Sequence, residues 1–215
     1  MMEKIFAIGD IHGCLNKLEE LMGKIPADRD GELLVFLGDY IDRGRDSREV
    51  VDFVISLNEN FRSIVYLMGN HERMFLNFLE GLEEELYLYN GGRCTLRDYG
   101  IAITDSPAER KKKIPAAHMH FYQSLLPYYE TEDYLFVHAG LLPGVELGKQ
   151  KIDDLVWVRR DFIDSTDDFG KTVVFGHTPV KSPLIAKNKI GIDTGAVYGG
   201  QLTCVELPAL KIYQV

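Results

Sequence analysis

The sequence has few cysteines and no long apolar run. Three cysteines occur among 215 residues, at Cys14, Cys94 and Cys204, and none forms a Cys-x-x-Cys pair. An odd number of widely spaced cysteines argues against a disulfide scaffold and against a thiolate zinc site. Apolar runs such as LLVFL are short, whereas a membrane span needs about 20 apolar residues. We therefore expect reduced thiols and no association with membranes.

Two further features are scarce: an export signal and positive charge. The first ten residues, MMEKIFAIGD, lack the apolar region of a signal peptide, so a cytoplasmic protein is expected. Lys and Arg together number 24 against 33 Asp and Glu, giving a formal net charge of -9. Binding to a nucleic-acid backbone needs clustered Lys and Arg, so nucleic acid is not an expected partner. The basic run at 111–113 is interpreted as solvated surface.

Strand-like and helix-like segments alternate in the first third of the chain. Apolar runs at 5–8, 33–37 and 64–68 predict strands, and the segments 15–24 and 47–57 have helical spacing. This βαβαβ order implies parallel strands joined by crossover helices.

The remaining segments change character twice. Residues 71–127 are predicted to be a mostly helical cap or insertion, broken at 90–92. Strand-like runs then return at 134–137, 172–175, 189–192, 202–206 and 210–213. With no repeat or linker, the whole of 1–215 is predicted to be one domain. The order favours an α/β fold in which two mixed β-sheets pack together with helices outside.

Five of the strand-like runs are each followed by a short polar signature. The signatures are GDIHG from Gly9, GDYIDRG from Gly38, GNHE from Gly69, HAG from His138 and GHTP from Gly176. A single Asp or His at a strand end is more often a cap or a satisfied core group. Five at corresponding positions favour one shared site, because the carboxyl ends of such strands gather at one edge.

The residue types in the signatures fit divalent metals of the first transition row. Asp10 and His12 are one residue apart, and in an extended backbone they would point the same way and hold one ion. Asp39 could bridge two ions through its two oxygens. The second ion would be completed by Asn70, His138 and His177. Two adjacent ions can lower the pKa of a bound water and clamp a group during in-line displacement.

Further side chains could serve phosphoryl transfer. His71 follows a predicted ligand and could protonate the leaving oxygen as a general acid, with Asp42 orienting its imidazole. Arg43 and Arg159 are candidate phosphate clamps, because guanidinium groups grip phosphate oxygens in a bidentate way. Arg160 is the alternative to Arg159.

Taken together, the five ordered signatures resemble the PPP family of metallophosphoesterases, which includes the serine/threonine protein phosphatases, and small bacterial and phage members most of all. The resemblance covers 9–179 and implies a calcineurin-like αββα fold with two divalent ions. The expected metal is Mn²⁺, with Fe, Zn or Mg as alternatives. The segment WVRRDF resembles the family's second arginine block, with Arg159 in the matching place.

The resemblance also implies roles for individual residues. By that similarity, one ion is held by Asp10, His12 and Asp39, and the other by Asp39, Asn70, His138 and His177. His71 with Asp42 is implied to be the catalytic acid pair. Arg43, Arg159 and Asn70 are implied to contact the substrate phosphate.

Three functions follow from these features. The favoured one is a serine/threonine protein phosphatase acting on a phosphorylated protein or peptide. The alternative is a dinucleoside polyphosphate hydrolase, of the diadenosine tetraphosphate type. An inactive regulatory protein on the same fold is disfavoured, because no ligand is missing. The short chain after the last signature argues against a deep nucleotide pocket, and an open cleft with Tyr198 beside the arginines suits one phosphate. Tyr87 and Tyr89 could instead stack on a base, which keeps the alternative open.

Overall fold

Two β-sheets form the centre of the computed structural model, which describes residues 4–26 and 31–215. Along the chain, the strands are β1 (Ile5–Ile8), β2 (Leu33–Phe36), β3 (Ser63–Tyr66), β4 (Tyr128–Glu130), β5 (Tyr134–Val137), β6 (Thr172–Phe175), β7 (Leu184–Ile185), β8 (Lys189–Gly191), β9 (Thr203–Leu207) and β10 (Lys211–Gln214). One sheet has the order β10-β9-β1-β2-β3 and the other β4-β5-β6-β8-β7. Both are mixed: β1, β2 and β3 are parallel, as are β5, β6 and β8, while β9 and β4 pair antiparallel to their neighbours.

Helices cover the outer faces of both sheets. In chain order they are α1 (Leu15–Lys24), α2 (Ser47–Ser56), α3 (Asn70–Leu79), α4 (Glu84–Tyr89), α5 (Arg93–Asp98), α6 (Pro107–Lys112), α7 (Ala116–Ser124), α8 (Ile152–Trp157) and α9 (Arg160–Ile163). Apolar residues of α1 to α5 and α7 belong to the core cluster on the first sheet's outer face. Leu155 of α8 and Phe162 of α9 belong to a separate cluster on the second sheet's outer face.

The alternation of side chains along each strand explains the layers. In β1, Phe6 and Ile8 join the helix-covered cluster, whereas Ile5 and Ala7 join the cluster between the sheets. Successive residues of a strand point to opposite faces, and both faces of β1 are buried. Phe136 and Val174 close the inner cluster from the second sheet. The αββα architecture expected from the sequence is confirmed.

Most sequence-based strands and helices match the observed elements to within two residues. The segment between Asn70 and Ser124 contains five helices, α3 to α7. The sequence analysis did not predict β4 and β7, because these strands are only two or three residues long. They lie at the two edges of their sheet. The description of 1–215 as one domain stays a prediction. In the described part of the chain, no helix has the length and apolar character required to span a bilayer.

Candidate metal centre and acid pair

The five signatures meet where the strands end. They follow β1, β2, β3, β5 and β6, and backbone hydrogen bonds join one signature loop to another. The amides of Ile11 and His12 donate to the carbonyl of Asp39, at 3.0 and 2.9 Å, and the amide of Gly176 donates to the carbonyl of His138 at 2.8 Å. Side chains from distant parts of the sequence are therefore held at one edge of the molecule.

Asp39 lies between two histidines whose ring orientation is fixed. The Nδ1 atoms of His12 and His138 lie 2.8 Å from the carbonyl oxygens of Ile41 and Leu37. With these Nδ1–H groups donating, each Nε2 faces the carboxylate of Asp39, at 3.3 Å from Oδ2 and 3.4 Å from Oδ1 respectively. Backbone partners of this kind fix the tautomer of metal-binding histidines. One oxygen of Asp39 thus faces each histidine, as a bridging carboxylate requires.

The second histidine group is completed by His177 and Asn70. One ligand atom from each of Asp39, His138 and His177 lies within 4.8 Å of the other two. The Nε2 of His177 is buried and has no hydrogen-bond partner, and Asn70 Oδ1 lies 3.0 Å from His138 Nε2. An unpaired buried nitrogen beside a carboxylate fits a metal ligand.

Asp10 also lies beside Asp39, and so does a third carboxylate, Asp193, which the sequence analysis missed. The amide of His177 lies 3.1 Å from both carboxylate oxygens of Asp10. Burial raises the pKa of Asp10, and the nearby Asp193 and Asp39 raise it further. Asp193 is itself buried, and burial raises its pKa to about 6. The signal for Asp193 in the sequence is its place just after β8.

The donor set fits divalent cations. Burial lowers the pKa of His12 to about 3 and also lowers the pKa of His138 and His177, so these imidazoles keep a free lone pair at neutral pH. Buried carboxylates that lie close together are stable in their charged form only when a positive charge is bound beside them. Neutral imidazole, carboxylate and amide oxygen are the ligands that first-row divalent metals accept.

His71 and Asp42 form a buried pair beside the metal centre. His71 Nδ1 lies 2.7 Å from Asp42 Oδ2, and its Nε2 is buried without a partner. The hydroxyls of Tyr87 and Thr95 donate to the other oxygen, Oδ1, at 2.8 and 2.5 Å. Tyr87 is fully buried, so the expectation that it could stack on a base is wrong. One ligand atom from each of His71, His12 and Asp39 also lies within 4.8 Å of the other two. Metal binding is therefore the alternative to a general-acid role for His71.

Glu72 holds the loop that carries Asp39. Its side chain is fully buried and accepts hydrogen bonds from four backbone amides, those of Asp39, Tyr40, Ile41 and Gly69, at 2.9 to 3.3 Å. The sequence analysis missed this residue. The available signal was its position in GNHE, three residues after the N-cap of α3.

The backbone of the centre is strained. Of seven described non-glycine residues with positive φ, five are His12, Asp39, Asp42, Arg43 and His177. Such conformations persist only where the surroundings enforce them, and they concentrate at functional sites. The extended-backbone reason given for pairing Asp10 with His12 is wrong, because β1 ends at Ile8 and His12 has a φ of 47°.

Two signature glycines are required by close approach. A Cβ at Gly69 would lie 2.1 Å from Asp39 Oδ1, and a Cβ at Gly176 would lie 2.1 Å from Asp10 Oδ1. No side chain fits at these distances, so glycine lets the backbone pass directly behind the carboxylates.

The arginines stand at the rim. Arg43 Nη1 lies 2.6 Å from His12 Nε2. Arg159 is exposed, yet its charge lowers the pKa of His138 and His177 after the larger effect of burial. Arg160 is 88% exposed and pairs with Asp164 at 3.7 Å. Of the two alternatives, Arg159 is therefore the one whose charge acts on histidines of the centre.

Comparison with known proteins agrees with this geometry. The family model described as calcineurin-like phosphoesterase matches residues 3–209. The chain belongs to this family. It is 32% identical, over 239 residues, to bis(5'-nucleosyl)-tetraphosphatase PrpE [asymmetrical] of Anoxybacillus flavithermus, covering 97% of this chain and 92% of the relative.

Solved structures establish the shared fold. One, described as a candidate diadenosine tetraphosphatase, has a TM-score of 0.73 and 22% identity, covering 100% of this chain and 94% of its own. Another, the cold-active protein-tyrosine phosphatase of a psychrophilic Shewanella, has a TM-score of 0.70 and 18% identity, covering 100% and 80%. Enzymes named for different substrates thus share this architecture.

The expected serine/threonine protein phosphatase activity, with a phosphorylated protein or peptide as partner, is wrong. The curated relatives are named for nucleotide substrates. The physical reason for the error is that bound metal ions and arginine clamps would contact only the phosphate, which both classes of substrate contain. The sequence analysis disfavoured a dinucleotide substrate on the assumption that such a hydrolase needs a deep pocket.

Proposed function

We propose that this protein hydrolyses dinucleoside tetraphosphates asymmetrically, releasing a nucleoside triphosphate and a nucleoside monophosphate. The observation that carries the proposal is the match, over 97% of the chain, to a relative named for this reaction. The site geometry supports it, because Asp39, His138 and His177 offer ligand atoms within 4.8 Å of one another, and each of the predicted ligand residues is present in the sequence. None of them is lost, which disfavours an inactive protein on this fold.

The proposed metal ligands are those expected from the sequence. Asp10, His12 and Asp39 would hold one ion, and the second would be held by Asp39, Asn70, His138 and His177. Mn²⁺ is the proposed metal, ahead of Fe, Zn and Mg. When bound, the two ions would supply Lewis-acid charge to the phosphoryl oxygens and lower the pKa of the attacking water.

The remaining residues act on the substrate. Hydrolysis forms a bond from the water oxygen to phosphorus and breaks one phosphoanhydride bond, whose bridging oxygen leaves with the electron pair. His71 Nε2 is free to donate a proton to that oxygen, while Asp42 holds Nδ1–H and stabilises the protonated ring. Arg43 and Arg159 would bind the negative oxygens of the phosphate chain, with the amide of Asn70 beside them.

The exposed rim residues Arg159 and Tyr198 leave room for the rest of the substrate outside the buried centre. Only the scissile phosphate must reach the metal centre, so the rest of the tetraphosphate and one nucleoside can lie along the surface. The basic run at 111–113 is not required for this. Lys111 pairs with Glu80 and Lys113 with Asp105, on helix α6 and just after it.

Product analysis tests the proposal. The protein, loaded with Mn²⁺, is incubated with diadenosine tetraphosphate, and the nucleotides are separated by ion-exchange chromatography. We expect equal amounts of ATP and AMP at early times. ADP as the sole product would contradict the asymmetric cut, and the absence of any nucleotide product would contradict the substrate class.

A further inference from the structure

Tyr198 presents an exposed aromatic ring beside the candidate phosphate clamp. It is 63% exposed and ends the short 3₁₀ turn Ala196–Tyr198 after β8. The guanidinium carbon of Arg43 lies 5.5 Å from the centre of the ring, and the same guanidinium group reaches His12 Nε2. One arginine therefore connects the ring to the metal centre.

The turn that carries Tyr198 is fixed from several sides. Lys17 Nζ donates to the carbonyl of Ala196 at 3.1 Å and also to the carbonyl of Gly200. The amide of Gly195 donates to Asp193 Oδ1 at 2.9 Å, so the buried acid beside the centre also anchors the turn. Because these contacts already hold the backbone of the turn, little backbone entropy is lost when a ligand packs on the ring.

A groove continues from the same arginine. It has a volume of about 360 Å³ and is lined by residues 13–17, 43–46 and 197. Three cationic side chains line it, Lys17, Arg43 and Arg45, against one acidic side chain, Asp46. The combination of an exposed ring, a groove and excess positive charge suits an anion that carries a flat, aromatic group.

We propose that Tyr198 and this groove form the subsite for one nucleoside of the dinucleotide. The base stacks on the ring of Tyr198, and the phosphate chain passes Arg43 toward the metal centre. Stacking on an aromatic side chain does not distinguish one base from another, because every base has a π-face. The subsite therefore accepts purine and pyrimidine nucleosides alike. This inference rests on the proposed function and names the residue that recognises its substrate.

Tyr89 is the rival platform. It is 91% exposed and ends helix α4, two residues before Gly91, whose carbonyl accepts from the amide of Arg43 at 3.3 Å. It lies near Arg43 through the backbone alone, whereas the ring of Tyr198 faces the guanidinium itself. The two tyrosines provide a matched pair of exposed aromatic substitutions.

A binding experiment distinguishes Tyr198 from Tyr89 as the stacking residue. The ligand is a non-hydrolysable diadenosine tetraphosphate analogue with a methylene bridge at the scissile position. Titration calorimetry is run on the Mn²⁺-loaded wild type and on Tyr198→Ala, Tyr198→Trp and Tyr89→Ala. We expect Tyr198→Ala to raise Kd by about 10-fold, within the roughly 5- to 150-fold range of one stacked base. Tyr198→Trp should restore tight binding, and Tyr89→Ala should change Kd by less than about twofold.

Inorganic tetrapolyphosphate provides the control substrate, since it offers the same anhydride bonds without a base. Tyr198→Ala should lose less activity on it than on the dinucleotide, because the contact of the ring with Arg43 is lost in both cases but a stacked base is lost only with the dinucleotide. Equal loss on both substrates, unchanged Kd in Tyr198→Ala, or a loss confined to Tyr89→Ala would overturn the Tyr198 subsite while wild-type cleavage of the dinucleotide still stands. A wild type that neither binds nor cleaves the dinucleotide would instead overturn the proposed function together with the subsite.

Discussion

The metal centre and its rim differ in how firmly their side chains are held. In the centre, Asp39, Asp42 and His71 are at most 1% exposed, and each is tied to other loops by hydrogen bonds. At the rim, Tyr198 is 63% exposed and Arg159 is exposed. Under the proposed function, the centre would hold the cations at which water attacks phosphorus, and the rim would contact the rest of the substrate.

A difference of this kind would allow enzymes of different specificity to share one architecture. A fixed, buried set of ligands acts on phosphate in any substrate, so exchange of surface residues can change specificity without loss of the chemistry. Discrimination between substrates is a ratio of kcat/KM values, and it depends on contacts made away from the scissile bond. Changes in the centre should therefore affect all substrates, and changes in the rim should affect only some.

The largest effect is expected from Asp39→Asn. Loss of a bridging carboxylate weakens both ions, so the decrease in kcat/KM should exceed the roughly 10- to 100-fold that loss of an outer metal partner causes. The decrease should be the same for a dinucleotide and for a simple phosphomonoester. Elemental analysis should find fewer than two ions per chain. Asp52→Asn, which changes a mostly exposed carboxylate paired with His118, is the control and should keep both ions. Two ions and full turnover in Asp39→Asn would contradict the bridging role.

A smaller and substrate-dependent effect is expected from His71→Asn. General acid catalysis contributes about 10²- to 10⁴-fold, and it matters most when the leaving oxygen is a poor one. An alkyl phosphomonoester should therefore lose more activity than diadenosine tetraphosphate, whose phosphate leaving group is already stable as an anion. Metal content should remain at two ions. Loss of an ion would favour the rival role of His71 as a ligand.

Tyr87→Phe should lower kcat moderately, because Tyr87 of helix α4 donates a hydrogen bond to Asp42. The variant removes one donor to Asp42 Oδ1 but keeps Thr95 in place. A hydrogen bond to a charged group contributes about 1.5–3 kcal/mol, so kcat for an alkyl phosphomonoester should fall about 10-fold with KM unchanged. Tyr122→Phe is the matched control, since Tyr122 is also fully buried but bonds to Tyr99. Equal losses in both variants would indicate a packing effect only.

An effect of similar size, but on KM instead of kcat, is expected at the rim, from Arg159→Ala. An exposed guanidinium that contacts the phosphate chain should raise KM about 10-fold, at the lower end of the range for charged hydrogen bonds, with little change in kcat. Arg160→Ala should stay within about twofold, because that side chain is 88% exposed and pairs with Asp164. A larger effect from Arg160→Ala would reverse the assignment of the second clamp.

The centre was more readable from sequence than the rim. Each predicted ligand lies within four residues of the end of a strand, so strand ends and residue chemistry were enough to predict that Asp39, His138 and His177 lie together. The layers followed from the same runs, since apolar residues on both faces of a strand require cover on both sides.

The supporting contacts could not be predicted because they join segments that are distant in the sequence. Tyr87 reaches Asp42 across 45 positions, and Lys17 fixes the turn of Tyr198 through a contact that spans 183 positions. No local pattern marks such pairs. The expectation of a peptide substrate was wrong for a related reason: specificity depends on exposed side chains, and exposure at a rim leaves no periodic signal in the sequence.

Comparison of kcat/KM for diadenosine tetraphosphate and for a phosphoserine peptide, with the same Mn²⁺-loaded protein, tests the central claim most directly. The account predicts that the dinucleotide is cleaved at least about 100-fold more efficiently, a difference of about 2.7 kcal/mol in transition-state binding. A peptide cleaved as efficiently as the dinucleotide, or more so, would contradict it.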